Sequence, residues 1–424
     1  MSNYSTMEKT ALKAEYDSLK ASFEAYKAQG LKLNMARGKP GSEQLNISND
    51  MLTVLTADTD YSSPDCPDCR NYGNLTGLES AQKLFADILG VEPKNVFVGG
   101  NSSLNMMFDT IACMMELGCS GEKPWREQGK IKFLCPAPGY DRHFGVTGYF
   151  GIEMITVPMT ENGPDMDMVE KLVSEDASIK GIWCVPKYSN PQGITYSDET
   201  VKRFASLKPA AKDFRIMWDN AYIIHDINDT PDQLLNIFDE VKKTGNEDIV
   251  FEFCSTSKIT FPGAGVAALA ASENNLAILK KRYNFQTIGY DKMNMLRHVK
   301  YFGDLNGVLA HMQKHRAVLE PRFNMVLDML EKELKDCGVA TWTKPNGGYF
   351  VSVDVTEGCA KRVVALCKEA GVVLTGAGAT YPYGNDPKDS NIRIAPTYPP
   401  VEELAKAMEI FCICAKMAAI EKLI

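Results

Sequence analysis

Lys258 closes a segment in which an apolar run at 249–253 stops at Cys254-Ser255-Thr256-Ser257. Gly263 and Gly265 then free the backbone ahead of a second apolar run at 266–271. A lysine just past a buried strand stands where ligands of α/β sheets bind, outside the carboxyl ends of the strands. Held neutral by burial, such a lysine serves as a nucleophile or Schiff-base former. Taken alone it reads as a solvated lysine at a strand–loop junction. Four other apolar runs end in groups that can do chemistry. The run 95–99 leads into Gly100-Asn101-Ser102-Ser103 at the start of a helical pattern. Backbone N–H groups and the helix dipole make such a start an anion site, although plain N-capping also accounts for the serines. The run 131–135 leads into Pro136-Ala137-Pro138-Gly139-Tyr140-Asp141-Arg142-His143, a proline-fixed loop whose Tyr140 can stack on a flat heteroaromatic ring. After 181–185 comes Asn190, kept out of helical angles by Pro191 so that its amide can face a ligand oxygen. After 215–218 comes Asp219-Asn220-Ala221-Tyr222. A carboxylate directly behind an apolar strand needs a cationic partner to stay charged, and a protonated pyridine nitrogen would serve. Tyr222 could donate to a phenolate oxygen. Each group has a bland explanation; their succession at strand ends does not.

The elements that carry these groups alternate. The strand candidates are 95–99, 131–135, 153–158, 181–185, 215–218, 249–253 and 266–271, and helical patterns such as 77–89, 104–117, 166–172 and 197–207 lie between them. Alternation of this kind predicts an α/β fold with a mainly parallel, seven-stranded, doubly wound sheet and helices on both faces. The link from Phe253 to Val266 is too short for a parallel crossover, so the last strand is expected to run antiparallel. This large domain is assigned to residues 48–304 and a smaller α+β domain to 305–424. In the smaller one a helix runs toward Cys337, with Pro321 expected to break or kink it at Glu320. Residues 1–47, an amphipathic helix ended by Gly30 and a cationic loop around Arg37-Gly38-Lys39-Pro40-Gly41, are expected to pack with the small domain.

Composition narrows the class. The 424 residues are 45% hydrophobic and 24% charged, with a net charge of −8 and no basic tract, which argues against a nucleic-acid partner. No apolar stretch approaches the roughly 20 residues of a membrane span, and the N-terminus lacks a secretory layout. Twelve cysteines in such a chain indicate reduced thiols and a cytoplasmic protein. Cys66-Pro67-Asp68-Cys69 has neither the second pair a zinc site needs nor the helix start of a redox motif, so both are expected to be unpaired loop cysteines and no metal is expected.

Ser189-Asn190-Pro191-Gln192-Gly193, Asp219-Asn220-Ala221-Tyr222, Ser255-Thr256-Ser257-Lys258 and Asn391-Ile392-Arg393 together resemble the fold-type I enzymes that use pyridoxal 5'-phosphate (PLP), specifically the class I/II aminotransferases. Ala36-Arg37-Gly38-Lys39-Pro40, Pro138-Gly139-Tyr140-Asp141-Arg142-His143-Phe144 and Lys258-Ile259-Thr260-Phe261-Pro262-Gly263 look like the divergent bacterial aspartate aminotransferase subgroup related to MocR-type aminotransferase domains. The resemblance implies that Lys258 holds PLP as a Schiff base and shuttles the substrate's Cα proton. Asp219 would pair with the pyridinium nitrogen, with His143 behind it. Asn190 and Tyr222 would bind the ring's phenolate oxygen, and Tyr140 would stack on its face. Asn101, Ser102, Ser103, Ser255 and Ser257 would surround the phosphate. Arg393, with Asn190, would clamp the substrate carboxylate. Tyr72 resembles the tyrosine that reaches the neighbouring subunit's phosphate, implying a homodimer with shared sites. One feature departs from the pattern: the family's phosphate-binding arginine after the lysine has no counterpart in Pro262-Gly263-Ala264-Gly265-Val266. Backbone amides and serines, or another cation, must replace it.

The implied reaction is ping-pong transfer of an amino group from an L-amino acid, aspartate foremost, to a 2-oxo acid, 2-oxoglutarate foremost. Arg37, Lys39, Arg142 and Arg297 are candidates for a distal carboxylate, Arg37 first because Gly38 beside it resembles the family's substrate-closing loop. The alternatives are an aminotransferase of other substrate range, a PLP-dependent lyase or racemase on the same scaffold, and a non-catalytic ligand-binding module of the MocR type. The last is disfavoured because no DNA-binding domain precedes residue 30 and Lys258, Asp219 and Arg393 are all present.

Overall fold

A computed structural model describes residues 3–424. In chain order the strands are β1 (Leu33–Asn34), β2 (Val96–Val98), β3 (Lys132–Ala137), β4 (Glu153–Thr160), β5 (Gly163–Pro164), β6 (Ile179–Cys184) and β7 (Arg215–Asp219). They continue with β8 (Val250–Ser255), β9 (Ala267–Ala271), β10 (Ala340–Trp342), β11 (Val351–Val355), β12 (Val372–Val373) and β13 (Asn391–Ile394). The main sheet has the order β2-β9-β8-β7-β6-β3-β4-β5. Pairings β4/β3, β3/β6, β6/β7 and β7/β8 are parallel, and β9 runs antiparallel to both β8 and β2. Strands β6, β7 and β9 are buried at every residue, as expected where helices cover both faces of a parallel sheet. One apolar core fills each side of it.

The sheet has eight strands, not the seven expected. The added β5 is a two-residue hairpin return on β4, with Met159 opposite Pro164 and Thr160 opposite Gly163. The two loop residues are Glu161-Asn162, and Gly163 after them adopts φ +121°, a hairpin too short for the apolar periodicity to reveal.

A second, three-stranded antiparallel sheet, β10-β11-β13, packs with the helices Ala360–Glu369 and Val401–Leu423 around its own core. The helix Lys9–Lys27 lies along Val401–Leu423, with the Tyr16 and Tyr26 hydroxyls donating to Glu421 at 2.8 Å and Glu409 at 2.6 Å. The cationic loop is not wholly irregular, because β1 within it pairs in parallel with β12.

Pro321 does not break its helix, which runs from Leu305 to Leu334. A proline inside a helix costs roughly 3 kcal/mol through its lost N–H and the clash with the preceding turn. Here the ring sits on the exposed face, while Leu319, Phe323, Val326, Leu330 and Leu334 are buried on the other. That packing overrides the local penalty. The same helix places Val308 and Met312 in a core of the large sheet, so it links the two cores. Among the described residues no helix is long and apolar enough to cross a membrane; all twelve cysteines are buried, and Cys66 and Cys69 are not joined in a disulfide.

Candidate active site

The carboxyl ends of β3, β6, β7 and β8 deliver their groups to one place. Asp219 is the last residue of β7 and is 2% exposed. Its Oδ2 accepts from His143 Nε2 at 3.0 Å, and its Oδ1 is buried with no partner. His143 is fixed from two sides. Its ring stacks on Trp183 with centroids 4.3 Å apart and planes 8° apart, and the Tyr140 ring meets it edge-on at 4.9 Å. Thr147 ties the arrangement together, donating to the His143 carbonyl at 2.7 Å and accepting from Trp183 Nε1 at 2.8 Å. An ionised Asp219 therefore has one oxygen engaged and one waiting, which is an uncompensated arrangement that a cationic ligand would relieve.

Lys258 follows β8 in a single turn of 3₁₀ helix, Thr256–Lys258, and is largely buried. Its Nζ lies 5.0 Å from the Tyr222 ring centroid and 5.6 Å from that of Tyr349. Burial lowers its pKa, which Asp219 opposes and the Arg393 charge reinforces. The direction is the one an amine nucleophile needs. Burial also pushes the Tyr222 hydroxyl well up and that of Tyr140 up to about 12, so both are held as donors.

Arg393, in β13 of the second sheet, reaches the same space and is 7% exposed. Its Nη1 donates to Asn190 Oδ1 at 3.1 Å and Asp141 Oδ1 at 3.0 Å, its Nη2 donates to Thr375 Oγ1 at 3.3 Å, and its Nε has no partner. The guanidinium rests on Phe350, 4.7 Å from the ring centroid. Gly38 lies on the same ring: a Cβ there would meet Phe350 at 2.3 Å, so glycine lets the loop approach that ring this closely. Arg37 and Arg142 are exposed, Lys39 stacks on Tyr398 at 4.1 Å, and Arg297 is bonded to Asn294.

Small polar groups gather around the segment that precedes Lys258. Ser102 caps the helix Ser103–Leu117, accepting from the Asn105 N–H at 3.4 Å. Ser255 donates to Ser257 Oγ at 3.1 Å, and Ser257 donates to the Asn101 carbonyl at 3.4 Å. Gly265 permits this closeness, since a Cβ there would stand 2.8 Å from the Asn101 oxygen. The glycine turn carries no cation. Its Ala264 and Gly265 carbonyls instead accept from Asn294 Nδ2 at 2.9 and 3.0 Å. Tyr72 is not brought to this cluster. It is 81% exposed on a separate loop.

The family description matching residues 7–424 is aspartate amino-transferase. The chain belongs to that family. Over 407 residues it is 45% identical to the aspartate aminotransferase of Corynebacterium glutamicum, covering 96% of this chain and 94% of that one. A crystal structure of an aspartate transaminase from that organism matches with a TM-score of 0.96 at 43% identity, covering 100% of this chain and 99% of the other. A structure of LysN, an α-aminoadipate aminotransferase from Thermus thermophilus, shares the fold at a TM-score of 0.74 and 18% identity, over 95% of this chain and 96% of that chain. The protein is thus a fold-type I aminotransferase of the aspartate aminotransferase kind.

Several groups of this aminotransferase site were missed by sequence reasoning. Trp183, Phe350, Tyr349 and Thr375 carry no motif of their own. His298, His311 and His315 carried a usable signal, the four-residue spacing of His311 and His315 on one helix face. His298 Nε2 contacts the Thr260 hydroxyl at 2.9 Å and that of Thr256 at 3.1 Å, while its Nδ1 faces the Asn294 carbonyl at 2.8 Å. Burial chiefly lowers its pKa, to about 4; the Asn294 carbonyl and Asp291 oppose this and Arg297 assists it. The unfolded chain therefore binds this proton at higher pH than the folded one. The stability contribution is complete above the ordinary histidine value of 6.5 and is lost as pH falls toward about 4. His298→Gln should show a shallower fall of Tm than the parent across that window, by up to about 1.4 kcal/mol per pH unit in stability. Parallel melting curves in paired buffers check it.

Proposed function

We propose that this aminotransferase takes the amino group of an L-amino acid, aspartate foremost, and delivers it to a 2-oxo acid, 2-oxoglutarate foremost, in a ping-pong cycle on PLP. One observation carries the cofactor reading: the buried, unpartnered Oδ1 of Asp219 facing a site that also holds Lys258. A neutral ligand would leave that carboxylate uncompensated, whereas a protonated pyridine nitrogen completes it. The LysN structure is a complex with N-(5'-phosphopyridoxyl)-L-leucine, which supports the same chemistry on this fold.

PLP would supply an electron sink and a carrier for the amino group. The chain's residues do the rest. Asp219, steadied by His143, keeps a proton on the ring nitrogen. Asn190 and Tyr222 serve the phenolate oxygen, and Tyr140 covers the ring face. Asn101, Ser102, Ser103, Ser255 and Ser257 receive the phosphate, joined by Tyr72 of a second copy in a homodimer. Arg393 takes the substrate α-carboxylate, exchanging its bonds to Asp141 and Asn190 for it. Lys258, its amine kept neutral by burial, moves the proton at the substrate Cα. Residues 48–304 form the cofactor-bearing domain in this reading, and 305–424 with the N-terminal 1–47 form the substrate-side domain.

The test is stoichiometry. Aspartate plus 2-oxoglutarate should give equal glutamate and oxaloacetate, with no ammonia released when the oxo acid is omitted. Ammonia without an acceptor would instead mark a lyase. For the distal carboxylate Arg37 is our first choice, because Gly38 beside it lies on the ring that carries Arg393. Arg37→Ala should raise KM for aspartate and 2-oxoglutarate about 10-fold or more, the worth of one charge-assisted bond, and leave KM for alanine within about twofold. Equal effects on both substrates would rule Arg37 out.

A further inference from the structure

The chain has five histidines, and each one serves this site. His143 backs Asp219, and His225 lies edge-on to Tyr222 and Tyr349 at 5.6 and 5.9 Å. The other three hold the turn that carries Lys258. His298 grips Thr256 and Thr260 on either side of it. His311 Nε2 and His315 Nε2 both lie on the Ile259 carbonyl, at 2.8 and 2.9 Å, and 3.2 Å from each other. Two buried imidazoles on one backbone oxygen are more than turn formation requires, since a carbonyl there needs only one donor.

A neighbour at Nδ1 fixes the tautomer of His315. Gln44, fully buried, donates from Nε2 to the Tyr349 hydroxyl at 2.8 Å and faces His315 Nδ1 at 3.3 Å. An amide N–H pointing at Nδ1 leaves the His315 proton on Nε2, where Ile259 accepts it. The Tyr301 hydroxyl lies 3.3 Å from both His311 Nδ1 and the Ile47 carbonyl, and Ser48 Oγ lies 3.3 Å from His311 Nε2. Tyr349, having accepted from Gln44, donates to the Lys258 carbonyl at 3.4 Å. Gln44 spends its remaining atom on the substrate-side loop: its Oε1 accepts from the Gly41 N–H at 3.3 Å. One amide side chain thus connects the loop bearing Gly38 with the carbonyls of both Lys258 and Ile259. With both imidazoles neutral, each can donate from Nε2 to the Ile259 carbonyl, and the Gln44 amide faces the Tyr349 hydroxyl and His315 Nδ1. Burial lowers the pKa of each, and for His315 the value falls to about 4, with His311 adding to the depression.

We propose that His311 and His315, connected through Gln44 to the Gly38–Gly41 loop, are positioning residues that hold the Lys258 turn for proton transfer and transmit the placement of that loop to it. The inference rests on the assignment of Lys258 as the cofactor-bearing lysine. Lys258 itself is faced by Asp219, Tyr222, Tyr349, His225 and Arg393, none of which is altered in the test. The experiment uses full-length protein loaded with PLP and reads three quantities. These are the pH midpoint of the Lys258-linked absorbance, kcat against KM for the amino donor, and Tm of the apo-protein. His315→Leu should move the midpoint, since a slackened turn admits water to Lys258, and lower kcat about tenfold with KM within about twofold, the effect of one lost hydrogen bond to a placed group. His315→Gln, which keeps an N–H near the Nε2 position, should return kcat to within about threefold of the parent. Gln44→Met, which removes both amide donors without emptying the space, should shift the midpoint in the same direction as His315→Leu. Equal impairment of the Leu and Gln variants would overturn the proposal. So would an unshifted midpoint in Gln44→Met, which decides the matter even if His315→Leu fails to fold. A parent protein lacking Lys258-dependent absorbance overturns this inference together with the cofactor assignment; a parent that has it, with unshifted variants, overturns this inference alone.

Discussion

Lys258→Ala is expected to bind PLP without a linkage that borohydride can fix to the chain and to lose at least about 10⁴-fold in kcat, while folding as the parent does. The size follows from losing a covalent attachment and a general base at once, since acid–base catalysis alone contributes about 10² to 10⁴. The intact fold follows from what Lys258 touches. Its Nζ lies over the faces of Tyr222 and Tyr349 rather than in an ion pair. The backbone of its turn is held by the Tyr349 hydroxyl and by His311 and His315 on the next carbonyl. Removing an amine whose charge burial already disfavours leaves no stranded partner. The mass of the denatured chain after borohydride, single-turnover kinetics and a melting curve check all parts together. Retained turnover, or cofactor that stays attached to the variant after borohydride and denaturation, would remove Lys258 from its role. Added methylamine should restore part of the rate, because a small free amine fits the vacated space and can move the same proton.

How far such a site is legible in a sequence depends on where its groups sit. Asp219, Asn190, Tyr140 and Lys258 stand at ends of strands buried on both faces, and the abrupt change from apolar to polar residues marks each one. Parallel strands place those ends on one edge of the sheet, so chain order alone brought the groups together. Groups that enter from elsewhere left weaker traces. Arg393 reaches the site from β13, and nothing local showed that Asp141 and Asn190 would hold it. Phe350 is an ordinary core residue until Gly38 and Arg393 are seen on its ring. The same limit governs the elements. The β5 hairpin and the β1/β12 pair are two residues long, below any periodicity. Pro321 signals only its local cost, and the packing of Leu319 through Leu334 that outweighs it is tertiary. His311 and His315 were open to detection by spacing, but only the fold shows that they share the Ile259 carbonyl.

Asp219→Asn should produce the second large loss, and by a different route. The carboxylate accepts from His143 on Oδ2 and presents Oδ1 to the site, so in the cofactor complex it would face a ring nitrogen at close range. An opposite charge at such range raises the pKa of a protonated nitrogen by about 1–3 units. Asparagine keeps the shape and removes the charge, so the protonated fraction of the ring, and with it the rate of Cα deprotonation, should fall about 10- to 10³-fold. His143 discriminates this from simple misfolding. An amide in place of the carboxylate can still accept from Nε2 through its oxygen, so the stack on Trp183 and the melting temperature should survive. A cofactor analogue settles the cause: PLP methylated at the ring nitrogen carries a permanent positive charge and needs no proton. Supplied to the Asp219→Asn apo-protein, it should restore a substantial part of the lost rate, whereas in Lys258→Ala it should restore none. If the methylated cofactor were no better than PLP in the asparagine variant, Asp219 would be acting by position alone and not by charge.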